Sequence, residues 1–598
     1  MQTPSPEALV RPEVGARRLL IGVAQGGLLY WLYRAAQDHV WPATVPMLFI
    51  PLVLVCVFAP VLLNSSLGNM AGRRAAQWTG LASAIIAALG VYDAWRAVPG
   101  VGQATPMISP SHLLCVFLAA GFFIAHSLVM AGSGERRRLA SYSAYFETAW
   151  KLGVQLAFSG FFVGLVWAVL NMGAELFALV HLDFLKELLR KSWFNIPVVT
   201  SAFSCAMHIT DVRPAIVRGI RTLLLVLMSW ILPVAVLIVG GFLASLLFTG
   251  LAPLWATRHA AAVLLGAAAL LVVLINAAWQ NGAALATTAL PIRLSARLAA
   301  LLLAPIVLIA IWALTLRVAD YGWTNDRIIA AACELVAACY AAGYAQAALR
   351  KGWLERIGAV NIITAFVVLA VLLALFSPIA DPARLSINNQ LARLSSSGKV
   401  ATDKFDFSYL RFEGARYGKE ALARLTQSSD LAVRAGVDKA LAMSVPALRY
   451  PVAAAEARPD LAANITVWPK GASLPPSFMA MEWRTLNSLV PAPACLVRAG
   501  ARCDAFLVDV TDDGKPEVLV VGAESGGGAV IAGDAGTGNW AILDRMPARF
   551  AGCVWYRERL IAGQIRTVAP PRKVLEIGGQ RIRSIPVDES VPAATCPN

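Results

Sequence analysis

The chain contains a series of apolar segments of about 20 residues separated by short polar connectors, and this pattern constrains its fold more than any other feature. A helix needs about 20 mostly apolar residues to cross ~30 Å of hydrocarbon. Ten segments fit this requirement, and all of them begin and end before Asp381. These segments are Leu19–Tyr33, Val45–Leu63, Trp78–Trp95, Leu113–Ala131, Leu152–Leu170, Thr222–Phe248, Ala260–Trp279, Leu298–Leu316, Ile328–Ala348 and Ile357–Phe376.

The positive charges of the connectors indicate how often the chain crosses the membrane. An eleventh apolar segment, Trp193–Ile209, is shorter and more polar than the others. Connectors on the cytoplasmic side of a membrane are enriched in Lys and Arg. If the N-terminus is cytoplasmic, all of the cation-rich connectors lie on the cytoplasmic side only when the eleventh segment also crosses the membrane. These connectors contain Arg73 and Arg74, Arg136 to Arg138, Arg213 to Arg221, Arg293 and Arg297, and Arg350 to Arg356. We therefore predict about 11 transmembrane helices, with the chain after Asp381 outside the cytoplasm.

The composition excludes other classes of protein. The chain is 58% hydrophobic and 15% charged, with a mean hydropathy of +0.64, whereas soluble domains are roughly 45–50% apolar and about 25% charged. A soluble multidomain enzyme or a disordered chain is thereby excluded. The net charge of +15 does not indicate nucleic-acid binding, because the cations lie in connectors and form no basic stripe interleaved with aromatic residues.

From Asp381 onward the composition is that of a soluble α+β domain. Leu385–Leu394 and Asp430–Met443 have the apolar spacing of helices, and short β segments follow Cys495. Gly578-Gly579 between two such segments predicts a hairpin. The predicted architecture is a polytopic α-helical membrane bundle with a C-terminal soluble α+β domain. Its parts are a cytoplasmic N-terminal segment (1–16), a transmembrane domain (17–379) and an extracytoplasmic domain (380–598).

Four cysteines lie in this polar tail. Disulfides persist only in oxidising compartments, so a tail outside the cytoplasm allows them to form. Cys495 and Cys503 enclose a short loop, which favours pairing between them and leaves Cys553 for Cys596. The alternative is that the thiols are free.

Several motifs in the apolar half match a known family. Ala149-Trp150-Lys151-Leu152, Phe161 to Trp167, Glu175 to Phe177, Pro253 to Ala256, Asn276 to Gly282 and Leu316 to Ile328 occur in that order. Together they resemble the bacterial inner-membrane family of domains of unknown function named DUF4153, from about Ser141 to Ile379. The resemblance implies a polytopic protein of the inner membrane, and thus a periplasmic location for the tail. It implies no activity, because the family has no settled biochemical role.

Polar side chains inside apolar segments are costly in a bilayer and are candidate functional residues. Glu334 lies near the middle of its segment, where it fits a proton-carrying acid or a carboxyl group that fastens helices together. His126 fits the same two classes of role. Asn276, Gln280 and Asn281 lie at one helix end, with Asn276 and Gln280 four residues apart on one face; they fit either a polar ligand or a helix contact.

A predicted outer connector carries a cluster of charged and aromatic residues. Arg317, Tyr321 and Arg327 accompany Asp320 and Asp326 there. This cluster fits a gate or an anion site at an outer mouth. It equally fits a local charge network that fixes the conformation of the loop.

One acidic loop in the tail suggests a cofactor. Asp509, Thr511, Asp513 and Glu517 place oxygen atoms at the spacing that Ca²⁺ requires. The segment resembles a single calcium loop of the kind repeated in integrin-type propellers, although Thr511 replaces the usual Asp or Asn and only one copy is present. A plain Asp-Gly hairpin turn explains the same residues, so both interpretations stand.

The sequence favours a non-enzymatic protein. All six histidines precede residue 260, so the tail contains no Ser-His-Asp triad and no His-based zinc site. We therefore expect an integral inner-membrane protein that anchors a periplasmic sensing or scaffolding domain, with the lipid bilayer and a periplasmic or envelope protein as partners. The alternative is a secondary transporter or lipid-handling permease that uses Glu334.

Overall fold

A computed structural model describes the chain in parts. The described residues are 12–97, 109–251, 254, 260–282, 288–395, 402–443, 459–483, 492–497, 500–522, 529–534, 540–545, 554–567, 575–577 and 580–582. They belong to two compact units, Met1–Ala442 and Met443–Asn598. The units are therefore divided after residue 442, whereas the change in composition predicted a domain boundary at residue 380.

The first unit is a bundle of long helices with one short connecting helix. Its helix boundaries follow local signals: Ser111 and Ser141 cap the helices that follow them by accepting hydrogen bonds from Leu114 N and Ala144 N. The helices are α1 (Pro12–Gln37), α2 (Pro46–Ser66), α3 (Gly72–Arg96), α4 (His112–Glu135), α5 (Tyr142–Ala178), α6 (Phe184–Arg190), α7 (Ser192–Val212), α8 (Pro214–Thr249), α9 (Ala260–Trp279), α10 (Leu290–Tyr321), α11 (Asn325–Leu349) and α12 (Ile357–Leu375).

Nine helices of the described chain are long and apolar enough to cross a membrane, namely α2 to α5 and α8 to α12. The largest apolar core lies among α8 to α12 and includes Leu271, Leu303 and Tyr344. The fold is thus a polytopic α-helical membrane bundle, as predicted. The count of 11 spans stays a prediction, because α1 and α7, which correspond to Leu19–Tyr33 and Trp193–Ile209, form long helices but are not among the nine.

Close contact between backbones holds α1 against α7. A Cβ atom on Gly22 would lie 2.5 Å from Ser204 Oγ, and one on Gly26 would meet the Cα atom of Pro197. Small residues at four-residue spacing allow helices in a membrane to approach closely. This pairing gives α7 a fixed place in the bundle that its moderate hydropathy did not predict.

The cation-rich connectors gather at one end of the bundle. Lys151, near the start of α5, contacts Asn69 in the α2–α3 connector. Tyr142, also at the start of α5, lies against Gly358 at the start of α12. Arg297 near the start of α10 donates to the carbonyl of Arg350 after α11. Because α3 and α11 are each roughly 36 Å long at 1.5 Å per residue, their other ends lie at the opposite end of the bundle.

Four more helices pack into the first unit after the last membrane helix. They enclose a small core that contains Ile387, Leu410, Leu422 and Val437. The polar composition of this segment predicted that it belongs to the tail domain, yet the segment packs with the bundle. The helices are α13 (Pro382–Ser395), α14 (Phe407–Phe412), α15 (Ala415–Leu425) and α16 (Leu431–Ala442).

The second unit is built on a five-stranded mixed sheet with the order β1-β2-β3-β4-β5. β1 and β2 are parallel, and the remaining neighbours are antiparallel. A separate pair, β6 and β7, confirms strand pairing across Gly578-Gly579, which itself lies outside the described residues. The strands are β1 (Ile465–Trp468), β2 (Cys503–Val508), β3 (Glu517–Gly522), β4 (Ala529–Asp534), β5 (Trp540–Arg545), β6 (Leu575–Ile577) and β7 (Gln580–Ile582).

Short helices complete the second unit. Phe478, Trp483, Cys495 and Trp540 are buried in its core with residues from the sheet. The α+β class predicted for the tail is thus confirmed for its C-terminal part. The helices are α17 (Leu461–Asn464), α18 (Pro476–Ala480), α19 (Ala494–Val497) and α20 (Val554–Ile561).

Candidate functional site

The α10–α11 loop is shorter than the connector predicted from the sequence. α10 continues to Tyr321 and α11 begins at Asn325, so Arg317 lies within α10 and Arg327 lies in the first turn of α11. The Arg327 guanidinium donates to the carbonyl of Gly322 at 2.6 Å and lies 5.5 Å from the centre of the Tyr321 ring. These contacts fit the second of the two predicted roles of the cluster, a local network that fixes the conformation of the loop.

Asn325, the first residue of α11, connects the loop to the helices that follow the membrane domain. Its backbone N–H donates to Tyr409 Oη at 2.9 Å, and its side-chain amide donates to the carbonyl of Glu413 at 2.8 Å. Its Oδ1 atom accepts from Ser386 Oγ at 2.9 Å. One asparagine therefore bonds to α13, α14 and the residue after α14.

The loop backbone is further held by side chains of α13. Asn389 Oδ1 accepts a hydrogen bond from Trp323 N at 3.0 Å, and Gln390 Nε2 donates to the carbonyls of Tyr321 and Trp323. Gly322 has a φ of +74°, and a Cβ atom there would lie 2.7 Å from Arg393 Cδ. Glycine is required at this position because other residues rarely adopt this φ and because α13 lies so close.

A buried carboxylate makes the second attachment at this end of the bundle. Asp381 is fully buried, and its Oδ2 atom accepts from Tyr92 Oη at 2.8 Å and lies 3.3 Å from Arg96 Nη1. Its Oδ1 atom accepts from the backbone N–H of Ala383 at 2.7 Å. Tyr92 also bonds to Tyr417 of α15 at 3.0 Å. Together the α10–α11 loop (322–324), Asn325, Asp381 and their partners form what we call the junction.

A second polar cluster lies within the bundle at the start of α5. Asn361 donates to Tyr142 Oη at 2.9 Å and to Asn276 Oδ1 at 2.6 Å, and it accepts from Tyr344 Oη at 2.6 Å. These four side chains come from four different helices. Asn276 therefore makes the helix contact that was one of its two predicted roles.

The other two residues predicted with Asn276 lie just beyond the end of its helix. α9 ends at Trp279, and Gln280 has a φ of +54° in the turn that follows. Asn281 lies in the same turn and has an interaction partner of its own. Gln280 N nevertheless donates to the carbonyl of Asn276 at 2.8 Å, and a shared face for the two side chains stays a prediction.

His126 belongs to a chain of hydrogen bonds through α2, α3 and α4. Trp78 Nε1 lies 2.9 Å from His126 Nδ1, and His126 Nε2 lies 2.9 Å from Ser65 Oγ. An indole N–H is a donor only, so Nδ1 accepts. The ring is therefore neutral, with its proton on Nε2, where it donates to Ser65. These hydrogen bonds fit the packing role, which was one of the two roles predicted for His126.

Sequence reasoning missed a buried ion cluster at the cation-rich end. Arg18 Nη2 lies 2.6 Å from Asp211 Oδ2, and both side chains are fully buried. Lys151 Nζ lies 2.9 Å from Asp211 Oδ1, and Asn69 donates to Asp211 Oδ2 at 3.1 Å. Two features of the sequence could have indicated this cluster. Asp211 is an acidic residue at the end of an apolar segment, and Lys151 lies in one of the motifs shared with the family.

Glu334 is buried near the middle of α11 and is 5% exposed. Among the described residues its Oε1 atom has no hydrogen-bond partner. Both predicted roles of Glu334, a proton-carrying acid and a carboxyl group that fastens helices together, stay predictions.

In the second unit the acidic loop connects β2 and β3. Glu517 accepts from Val510 N at 2.8 Å and from Thr511 Oγ1 at 2.9 Å, while Asp509 accepts from Gly514 N at 2.9 Å. Asp513 accepts from Lys515 N at 2.8 Å. In the described parts of the chain no three His, Cys, Asp or Glu side chains are grouped to hold a metal ion. Calcium binding stays a prediction.

The disulfide predicted within the tail is present between Cys495 and Cys503, whose Cα atoms are 5.9 Å apart. It joins α19 to the start of β2. Cys553 and Cys596 lie outside the described residues, so their pairing stays a prediction.

One comparison with known proteins identifies a family. The model of a domain of unknown function, DUF4153, matches residues 49–425. The match covers more than half of the chain and includes both the membrane helices and α13 to α15, and the chain therefore belongs to this family. No curated protein and no solved structure matches the chain.

Proposed function

We propose that this multi-pass membrane protein lies in the inner membrane of a bacterium and anchors an extracytoplasmic sensing or scaffolding domain. In this proposal the N-terminus is cytoplasmic, and residues 443–598 form the periplasmic domain. Its partner there is a protein of the periplasm or the envelope.

The distribution of charge supports this orientation. The end of the bundle where α3, α5 and α12 begin is rich in cations. It contains Arg73 and Arg74 in the first turn of α3, Arg136 to Arg138 in the connector before α5, and Arg350 and Lys351 in the connector before α12. Cation-rich connectors favour the cytoplasmic side. The junction lies at the opposite end of α3 and α11, which favours an extracytoplasmic location for α13 to α16.

The junction is the observation that carries the anchoring role. Asp381 and Ser386 are fully buried between helices and hydrogen-bonded to Tyr92 and Asn325 of the bundle. Buried polar groups with satisfied hydrogen bonds make a contact specific and rigid. The segment that leads into the second unit, α13 to α16, is thus fastened firmly to the membrane helices. An anchor requires such a rigid attachment, whereas a flexible tether would not.

Reporter fusions test the orientation. Alkaline phosphatase is active only outside the cytoplasm, whereas green fluorescent protein fluoresces when it is made inside. We expect phosphatase activity for a fusion after Asn598 and fluorescence for a fusion after Arg350. Fluorescence at both positions would contradict the periplasmic location and with it the proposed role.

The buried carboxyl group of Glu334 favours a second candidate function, proton-coupled transport. An ionisable group in a membrane-spanning helix is costly and marks proton pathways in transporters. Glu334 has a buried oxygen atom that no described residue satisfies with a hydrogen bond. We expect such an atom in a carboxyl group that takes up and releases protons during transport.

A flux assay separates the two functions. Proton flux into liposomes containing the purified protein is measured for the wild type, for Glu334→Gln and for Glu355→Gln, a change of the same kind in an exposed connector. A transporter loses flux only in Glu334→Gln. An anchor gives no protein-dependent flux in any of the three.

A further inference from the structure

A pocket with an arginine-rich mouth opens between α3, α4 and α12. Its volume is about 500 Å³, within the range of roughly 300–1,000 Å³ that is typical of small-molecule sites. Trp78, Leu128, Val129 and Phe366 form part of its apolar wall. These residues belong to helices that are long and apolar enough to cross a membrane.

Four arginines surround the mouth of this pocket: Arg74 from the first turn of α3, and Arg136, Arg137 and Arg138 from the connector after α4. No Asp or Glu is found among the described residues that line it. The pocket therefore combines a concentrated positive charge at the helix ends with an apolar wall.

The end of α4 is built to turn the three connector arginines toward the pocket. Arg136 has a φ of +55°, Arg137 N donates to the carbonyl of Gly132 at 3.0 Å, and Arg136 N donates to that of Ser133. This pattern is a Schellman motif, in which the left-handed residue is usually glycine. A Cβ atom on Gly132 would lie 2.9 Å from the carbonyl oxygen of Arg137, so glycine is needed for the connector to fold back.

The aromatic wall of the pocket is held in place from behind. The Trp78 indole donates to His126 Nδ1 at 2.9 Å, and their rings are stacked with centres 6.4 Å apart. His126 is 3% exposed. It acts as a positioning residue that fixes the orientation of Trp78.

We propose that this pocket binds an anionic phospholipid, with the phosphate at the arginines and the upper acyl chains against the apolar wall. Arginine guanidinium groups recognise phosphate oxygens by charge-assisted hydrogen bonds. Basic pockets between transmembrane helices bind anionic headgroups. A free phosphate would leave the apolar wall uncovered, whereas a lipid matches both the charge of the mouth and the chemistry of the wall.

Native mass spectrometry of the full-length protein in a neutral detergent tests this site. The protein is titrated with dioleoyl phosphatidylglycerol, with dioleoyl phosphatidylcholine as the zwitterionic lipid and with glycerol phosphate as the headgroup alone. Arg74→Gln is compared with Arg73→Gln, which removes the same charge from the neighbouring exposed residue that lies outside the pocket lining. Val129→Trp fills the pocket.

We expect phosphatidylglycerol to bind wild type and Arg73→Gln with equal affinity, and to bind Arg74→Gln roughly five-fold more weakly. Val129→Trp should lose this binding, and neither phosphatidylcholine nor glycerol phosphate should replace it. Equal weakening in Arg73→Gln and Arg74→Gln would show a general surface attraction and overturn the proposal. Unchanged binding in Arg74→Gln, or glycerol phosphate binding as tightly as the lipid, would also overturn it.

Discussion

Arg18 and Asp211 are 193 residues apart in the sequence, yet their side chains meet at 2.6 Å with both fully buried. Lys151 adds a second cation to the same carboxylate at 2.9 Å. The guanidinium of Arg18 also donates to the carbonyl of Leu67 at 2.6 Å. Four parts of the chain that are distant in sequence, α1, the α2–α3 connector, α5 and α7, are thus fastened at one point.

Asp211→Asn should destabilise the bundle strongly. Removing one partner of a buried ion pair leaves an uncompensated charge, which costs about 3–5 kcal/mol. The exposed pair Arg34–Asp38, with atoms 2.8 Å apart, provides the control, because exposed pairs contribute about 0–1 kcal/mol. Equilibrium unfolding in detergent should therefore separate Asp211→Asn from Asp38→Asn. Equal losses would show that the buried pair does not hold the helices together.

Two adjacent glycines of α1 should respond in opposite directions. A Cβ atom on Gly26 would lie 2.6 Å from Thr200 Oγ1 of α7, whereas one on Gly27 meets nothing within 4 Å. Gly26→Ala should cost about 1–3 kcal/mol through overpacking. Gly27→Ala should gain up to about 1 kcal/mol from helix propensity. Melting temperatures of the two variants would measure this, and a gain in both would argue against close packing of α1 on α7.

The membrane helices were predictable because each is specified locally. The length and hydropathy of a segment such as Val45–Leu63 are enough to predict a membrane helix. The helix in the structure, Pro46–Ser66, has nearly the same bounds. The disulfide between Cys495 and Cys503 was predictable for the same reason, since its cysteines are only eight positions apart in the sequence. Local signals thus determined the fold class and the elements of both units.

The contacts of the site were not predictable, because their partners come from distant segments. Nothing near Asn276 in the sequence indicates that Tyr344 and Asn361 complete its hydrogen bonds. The polar composition after Asp381 resembled that of a separate domain. Some of the polar residues after Asp381 belong instead to the junction, where Asn389 and its neighbours form hydrogen bonds with the α10–α11 loop.

Two neighbouring asparagines of α13 test the junction. Asn389 accepts from Trp323 N of the loop, whereas Asn388 is exposed. Asn389→Ala removes a hydrogen bond of about 1 kcal/mol, so amide exchange at Trp323 should become roughly five-fold faster. Asn388→Ala should leave the rate unchanged. Hydrogen exchange read by mass spectrometry measures both, and equal rates in the two variants would mean that α13 does not restrain the loop.

The disulfide of the second unit should resist modification until it is reduced. Cys495 and Cys503 are buried at 0% and 2% exposure. A cross-link that closes a short loop stabilises a fold by about 2–3 kcal/mol in the chain-entropy model. Cells with an oxidising compartment outside the membrane should therefore yield full-length protein in which these two cysteines react with a maleimide only after reductant is added.

The double variant Cys495→Ala/Cys503→Ala provides the stability measurement. The double variant should have a lower unfolding temperature of the second unit than the wild type. Adding reductant should lower this unfolding temperature in the wild type but not in the double variant, which has no Cys495–Cys503 disulfide to reduce. The single variant Cys205→Ala, at an exposed free cysteine of the first unit, controls for the loss of a thiol. Maleimide labelling of Cys495 and Cys503 without reductant would place this unit in a reducing compartment and contradict the orientation proposed for the chain.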